Sequence, residues 1–254
     1  FEASEISAEF YAFPESAEER AVYDFIVVDE AQDFSYAALN NLHALVRNNA
    51  LVFCMDSYQS LYDEVSTRPY LLQTFKASHI RLETTYRCPA NVVLAANKMI
   101  SLRNCLTGGL SDKQESKRIE AIDESKEAGA VYLVNDLMFE GSKWLSSEKG
   151  IDFAVVAESC HHAEASKLFN TKLVLTPEEI KGLEFKTVVA YRLFEHDILK
   201  SANKQLASSG AAATEENTHR AKSGVGERRF GPAFNRIYTG YTRAQETLII
   251  FEDN

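Results

Sequence analysis

Short runs rich in β-branched and aromatic residues recur along this chain. They fall at Phe25–Asp29, Ala50–Met55, Ile80–Glu83, Val131–Val134, Phe153–Ala157, Leu173–Thr176, Thr187–Tyr191 and Leu248–Phe251. Runs of this length and composition suit buried strands of a parallel sheet. Between them lie helical stretches, including Tyr36–Val46, Asn91–Leu102, His162–Phe169 and Asn235–Ala244, with Pro89 marking the start of the second. Strands alternating with helices restrict the chain to an α/β fold with mostly parallel sheets. No internal repeat is visible.

The 254 residues allow one large or two small domains. No apolar run reaches the ~20 residues of a spanning helix, and no signal-peptide pattern opens the chain, so a cytoplasmic protein is expected. A chain starting at Phe1 rather than Met is expected to be a piece of a longer polypeptide. Four cysteines without a C-x-x-C pair read as reduced thiols, not a disulfide frame or zinc site. The net charge of -10 disfavours strong autonomous nucleic-acid binding, which depends on Lys and Arg, although a local basic groove remains compatible with it. Ser111–Glu127 and Lys200–Gly231 are polar or breaker-rich and are expected to be flexible.

The first run, Phe25-Ile26-Val27-Val28, ends in Asp29-Glu30-Ala31-Gln32-Asp33. Ligands of parallel sheets gather at the carboxyl ends of strands. There Asp29 could hold Mg²⁺ through water, and Glu30 could orient or deprotonate an attacking water. A solvated acidic turn is the plain alternative. The second run leads into Asp56-Ser57-Tyr58-Gln59-Ser60-Leu61-Tyr62, where Gln59 could sense a γ-phosphate or simply lie on a polar loop. In Thr84-Thr85-Tyr86-Arg87-Cys88-Pro89, Tyr86 could stack a base and Arg87 clamp a phosphate, or Arg87 could pair with a surface carboxylate. Thr176-Pro177-Glu178-Glu179-Ile180-Lys181-Gly182-Leu183-Glu184-Phe185 precedes a strand, with Gly182 permitting a tight turn. Tyr238-Thr239-Gly240-Tyr241-Thr242-Arg243-Ala244 places Arg243 on a helix from which it could reach a phosphate. Cys160-His161-His162 reads as a helix start rather than a metal site, and Tyr238 and Tyr241 read as packing residues.

In this order these stretches resemble the UvrD/Rep-like helicases of superfamily 1, over about Tyr23 to Glu252. The resemblance implies two RecA-like lobes of the P-loop NTPase type, with ATP and Mg²⁺ between them and single-stranded DNA drawn across both. It assigns residues 1–78 to the C-terminal part of the first domain and residues 79–254 to the second. Asp29 is then the Mg²⁺ ligand, Glu30 the catalytic base, Gln59 the γ-phosphate sensor, and Arg87 and Arg243 the two arginine fingers. Tyr86 resembles the aromatic that stacks the base, Gly182 belongs to the nucleotide-side turn, and Glu184 resembles the residue near the ribose. Tyr62 and Thr176 fall on the nucleic-acid side.

The departures matter as much. No G-x-x-x-x-G-K-[ST] loop, whose amides and Lys would hold the phosphates, occurs in the chain. In the family it precedes the Asp-Glu motif, so a missing N-terminal part of the same protein is the first expected partner. This chain alone is expected neither to bind ATP tightly nor to hydrolyse it. On the nucleic-acid side, Asp63 and Glu64 follow Tyr62, and Glu178 stands where the family usually has His. Acids there remove base stacking worth ~1–3 kcal/mol per base and are expected to repel phosphate. The stretch between the Tyr-Arg and Lys-Gly motifs is also short, without the extra domain of larger members. Three readings follow: a fragment of an ATP-dependent DNA helicase or translocase, a nucleotide-gated interaction module that has lost its DNA track, or a non-catalytic scaffold remnant.

Overall fold

A computed structural model describes residues 22–61, 67–107, 119–121, 128–135, 150–194, 204 and 230–252. The chain divides into two compact units, Phe1–His79 and Ile80–Asn254.

In the first unit, β1 (Ile26–Val28) pairs in parallel with β2 (Leu51–Phe53), Val27 opposite Val52. Between them runs α1 (Tyr36–Ala44), started by Ser35, whose hydroxyl accepts from the Ala38 N–H. This N-cap satisfies one of the orphan donors of the first turn. The sequence does not flag α2 (Arg68–Thr74), although Pro69 sits in its first turn, a position where proline costs nothing. Tyr70 of α2 stacks on Tyr36 of α1 with ring centroids 4.0 Å apart, and Phe75 packs against Phe53 and His43.

The second unit is built on a five-stranded, wholly parallel sheet. Its strands are β5 (Ala130–Val134), β6 (Phe153–Val156), β7 (Val174–Leu175), β8 (Phe185–Tyr191) and β9 (Ala244–Phe251), in the order β5-β9-β8-β6-β7. Every residue of β6 is buried, as its unbroken Phe-Ala-Val-Val run requires when both faces of a sheet are covered. Alternate residues serve the two faces. Val155, Val189, Tyr191 and Phe251 face Ala165 and Phe169 at helix α4 (His162–Leu168). Phe169 meets Tyr191 edge-on at 5.5 Å and Phe251 edge-on at 5.9 Å. Aromatic pairs in this arrangement add to their burial energy. Elsewhere in the unit, α3 (Ala90–Thr107) packs on α5 (Phe230–Tyr241), with Leu106, Phe230 and Phe234 forming a second apolar cluster. Gly240 of α5 lies close to the sheet: a Cβ there would sit 3.4 Å from the Val156 side chain.

Three sequence expectations are revised. Ile80–Glu83 is not a strand; Ile80 and Leu82 are exposed, and the pairing begins only at β3 (Thr84–Thr85). Its parallel partner is β4 (Glu120–Ala121), inside the stretch expected to be flexible. The last helix stops at Tyr241, not Ala244, because Ala244 is already paired with Phe185 in the sheet. Arg243 therefore sits in the turn between α5 and β9. Most of 111–127 and 200–231, with Tyr62, Asp63 and Glu64, lies outside the described residues.

One glycine is dictated by the fold. Gly129 has φ +71°, and a Cβ on it would lie 2.3 Å from Pro89 Cγ and 2.9 Å from the Glu246 carbonyl oxygen. Its own carbonyl accepts from Asn91 Nδ2, tying the start of α3 to the entry of β5. Gly129→Ala is expected to destabilise the second unit by ~1–3 kcal/mol or more, read as a lower denaturant midpoint. An unchanged midpoint would contradict this packing.

Candidate functional site

In the first unit the acid pair sits where β1 ends. Asp29 is exposed, and its Oδ1 accepts from the Glu30 N–H at 2.9 Å. Glu30 takes the left-handed conformation, φ 50° and ψ 40°, uncommon for a residue with a Cβ and found chiefly at tight turns and functional positions. A chain of hydrogen bonds then runs across to the end of β2. Gln32 Nε2 donates to Glu30 Oε2 at 2.5 Å, and Gln32 Oε1 accepts from the Asp56 N–H at 3.1 Å. The Asp56 carboxylate accepts from the Tyr58 N–H at 3.0 Å and from Gln59 Nε2 at 2.8 Å. The buried Gln32 thus links Glu30 to Gln59 through Asp56. Such a network fixes side-chain rotamers more firmly than isolated bonds would. Sequence reasoning gave Gln32 and Asp56 no part in the site, because a contact between positions 24 residues apart depends on the two strands pairing.

In the second unit, Arg87, Glu184 and Arg243 come together from three segments: the turn after β3, the turn before β8, and the turn before β9. Arg87 Nε donates to Glu184 Oε1 at 2.5 Å, and Gln245 Nε2 donates to Glu184 Oε2 at 2.8 Å. Burial alone would raise the Glu184 carboxyl; the Arg87 bond and charge, with Gln245 and Arg243, outweigh it and hold the group below its ordinary value of 4.5. Arg243 is 1% exposed, and its Nε donates to the Thr239 carbonyl at 3.1 Å. Between the two arginines lies Cys88, whose Sγ donates to the Thr242 carbonyl. Burial pushes the Cys88 thiol up to about 11, against the pull of Arg87 and Arg243. Cys88 is a buried packing thiol. Tyr86 is 77% exposed. Gly182 has φ +79° in the turn that delivers Glu184.

A depressed carboxyl contributes stability above its ordinary value and loses that contribution as pH falls through its folded value. The difference in stability between the wild type and Glu184→Gln is therefore expected to narrow as pH drops below 4.5. Urea unfolding at several pH values measures it; a constant difference would contradict the pairing.

Thr176 forms a reciprocal cap. Its Oγ1 accepts from the Glu179 N–H at 3.2 Å, and its own N–H donates to Glu179 Oε2 at 2.9 Å, the capping-box arrangement. Glu178, expected to repel phosphate, is an ion-paired carboxylate. Glu178 accepts from Arg236 of α5, which also forks onto Glu158 with bonds of 2.9 and 2.7 Å. Burial would lower the Arg236 value, but Glu158 and Glu178 raise it above the ordinary one. The sequence held one signal for this network: Arg236 is the sole charged residue of Phe230–Tyr241, a mostly buried helix. A charge on such a helix needs partners.

The resemblance implies a nucleotide with Mg²⁺. Mg²⁺ keeps several waters and takes one or two carboxylates plus substrate phosphates. An exposed Asp29 at a strand end suits that demand. Among the described residues no group of three His, Cys, Asp or Glu could hold a metal by itself. Cys160-His161-His162 opens α4 instead, as expected for a helix start. Tyr238 and Tyr241 are packing residues, 2% and 1% exposed.

Parallel sheets with helices between their strands define an α/β protein, with Asp29 and Glu30 following β1 and with Glu184 and Arg243 preceding β8 and β9. The viral superfamily 1 RNA helicase core domain matches residues 3–209, and the chain belongs to that family. Similar solved structures include two helicases. One is the PRRSV helicase, at 11% identity and TM-score 0.45, covering 89% of this chain and 34% of that one. The other is the arterivirus nonstructural protein 10 helicase, at 16% identity and TM-score 0.48, covering 90% of this chain and 39% of that one. The chain thus spans well under half the length of either. No curated protein sequence matches it. Among the described residues no helix is long and apolar enough to cross a membrane.

Proposed function

We propose that this chain is part of the motor core of a helicase that couples ATP hydrolysis to movement along single-stranded nucleic acid. The observation that carries the reading is the relay Glu30–Gln32–Asp56–Gln59, which ties an acid pair to a candidate phosphate sensor across two parallel strands. A surface turn has no use for a buried glutamine bonded on both sides. On this reading residues 1–78 belong to the first RecA-like domain and residues 79–254 to the second.

Mg²⁺, when bound, neutralises charge on the β- and γ-phosphates, and Asp29 would hold it. Glu30, fixed by Gln32, accepts the proton of the attacking water. Gln59 responds to the γ-phosphate. Arg87 and Arg243 stabilise negative charge that develops during phosphoryl transfer. Glu184 orients Arg87, and Tyr86 offers its ring to the base. Thr176 and Tyr62 would contact the polynucleotide. The chain has no phosphate loop, so the protein segment carrying one must join it for activity.

The family is named for RNA helicases, which makes single-stranded RNA the first polynucleotide to test; the UvrD/Rep resemblance makes DNA the second. The purified 254-residue chain is expected to show no ATPase activity. A longer protein that adds the phosphate loop is expected to hydrolyse ATP faster when single-stranded RNA or DNA is added. Absence of stimulation by either would defeat the motor reading and favour the nucleotide-gated module. A clear rate from the chain alone would defeat the division of labour.

A further inference from the structure

We propose that Arg236 is the cation of a phosphate-binding position on the second unit, masked in this conformation by Glu158 and Glu178. The proposal rests on the motor reading, since its ligand is the phosphodiester backbone of single-stranded nucleic acid.

Glu158 follows the carboxyl end of β6, and Glu178 follows the carboxyl end of β7. That edge of a parallel sheet is where ligands gather. Arg236 reaches it from α5, and its Nε, Nη1 and Nη2 all donate to the two carboxylates. One guanidinium neutralises one carboxylate, so the trio carries an excess negative charge. All three side chains are half-buried, between 24% and 29% exposed, where that excess is screened less than at an open surface. A structural bridge from α5 to the sheet needs only Glu158. Its two-oxygen contact with Nε and Nη2 is the geometry that makes an Arg–carboxylate pair strong.

Glu178 is the member that can be replaced. It lies in a turn that the Thr176–Glu179 cap holds independently of it. A phosphodiester carries the same single charge and two free oxygens, and the arginine fork accepts either group. Exchanging Glu178 for a phosphate would leave Arg236 seated on Glu158 and move the expelled carboxylate toward water. Masking also accounts for how an acidic chain can keep a nucleic-acid position without binding polyanions indiscriminately.

The test compares the 254-residue chain with Glu178→Gln, Glu158→Gln and the double variant Glu178→Gln/Arg236→Gln. Fluorescent oligouridylate and oligothymidylate are titrated against each over a range of salt. Either single variant leaves Arg236 one carboxylate, and thermal unfolding by circular dichroism identifies variants that remain folded. Glu178→Gln is expected to bind more tightly and to steepen the slope of log K against log salt by about 0.7, the value of one added phosphate contact on a single strand. The double variant is expected to lose that gain. Wild-type binding with no change of slope in either single variant would overturn the masked site while leaving the motor reading intact. A gain that survives Arg236→Gln would overturn it too. If neither polymer binds to any variant, the masked site falls, and the motor reading is judged separately by polynucleotide stimulation of ATP hydrolysis in the longer protein.

Discussion

Glu30→Gln, placed in a longer protein that supplies a phosphate loop, is expected to keep nucleotide affinity and cut turnover by ~10²–10⁴-fold, the usual contribution of a general base. The substitution preserves size, and the new amide oxygen can still accept from Gln32 Nε2, which now bonds Glu30 Oε2. The left-handed backbone at this position places the same demand on Gln as on Glu. Only the ability to accept a proton is lost. Turnover should therefore fall while the dissociation constant for a fluorescent nucleotide stays within a few-fold of wild type. Equal losses in both would mean that Glu30 binds nucleotide and is not the base. Asp29→Asn should behave differently, because weakened metal binding raises the Mg²⁺ concentration needed for half-maximal rate.

Arg243→Ala is expected to lower turnover by ~10³-fold or more, the scale of arginine-finger losses. Here the structural and catalytic effects need separating. Arg243 is buried and bonds the Thr239 carbonyl at the end of α5, which also accepts from Thr242 Oγ1, so removing it also costs stability through lost packing, on the order of 0.5–3 kcal/mol. Arg243→Lys keeps the charge and much of the packing but loses the planar fork. A finger role predicts that Lys rescues folding far better than turnover. A purely structural role predicts that the two recover together. Arg87 is the useful comparison: it is less buried and already oriented by Glu184, so Arg87→Ala should lose turnover with a smaller change in stability.

The parts of the fold that were legible in the sequence are those set by local burial. β6 reads as a strand because its residues are apolar without interruption, and β8 because of its buried run from Val188 to Tyr191. Pro89 announced α3, and the acid pair announced the end of β1. The parts that were not legible depend on who pairs with whom. Ile80 and Leu82 look like strand residues, yet the pairing with β4 begins two residues later, at Thr84. Arg243 looks helical until the sheet claims its neighbour Ala244. The same limit applies to the site. Residue types that carry chemistry were visible one by one, but Gln32, Asp56 and Gln245 act through partners across the fold. Glu178 was visible as a charge, and only the position of α5 revealed that Arg236 holds it.

The proposed motor function requires that Glu30 and Arg243 act on the same nucleotide. A double-mutant cycle on turnover tests this directly, using Glu30→Gln, Arg243→Lys and their combination in the longer protein. Residues serving one chemical step are strongly non-additive, so the double variant should be little slower than the slower single variant. Losses that simply multiply would mean that the two residues serve separate events, and the shared role proposed for them would be wrong.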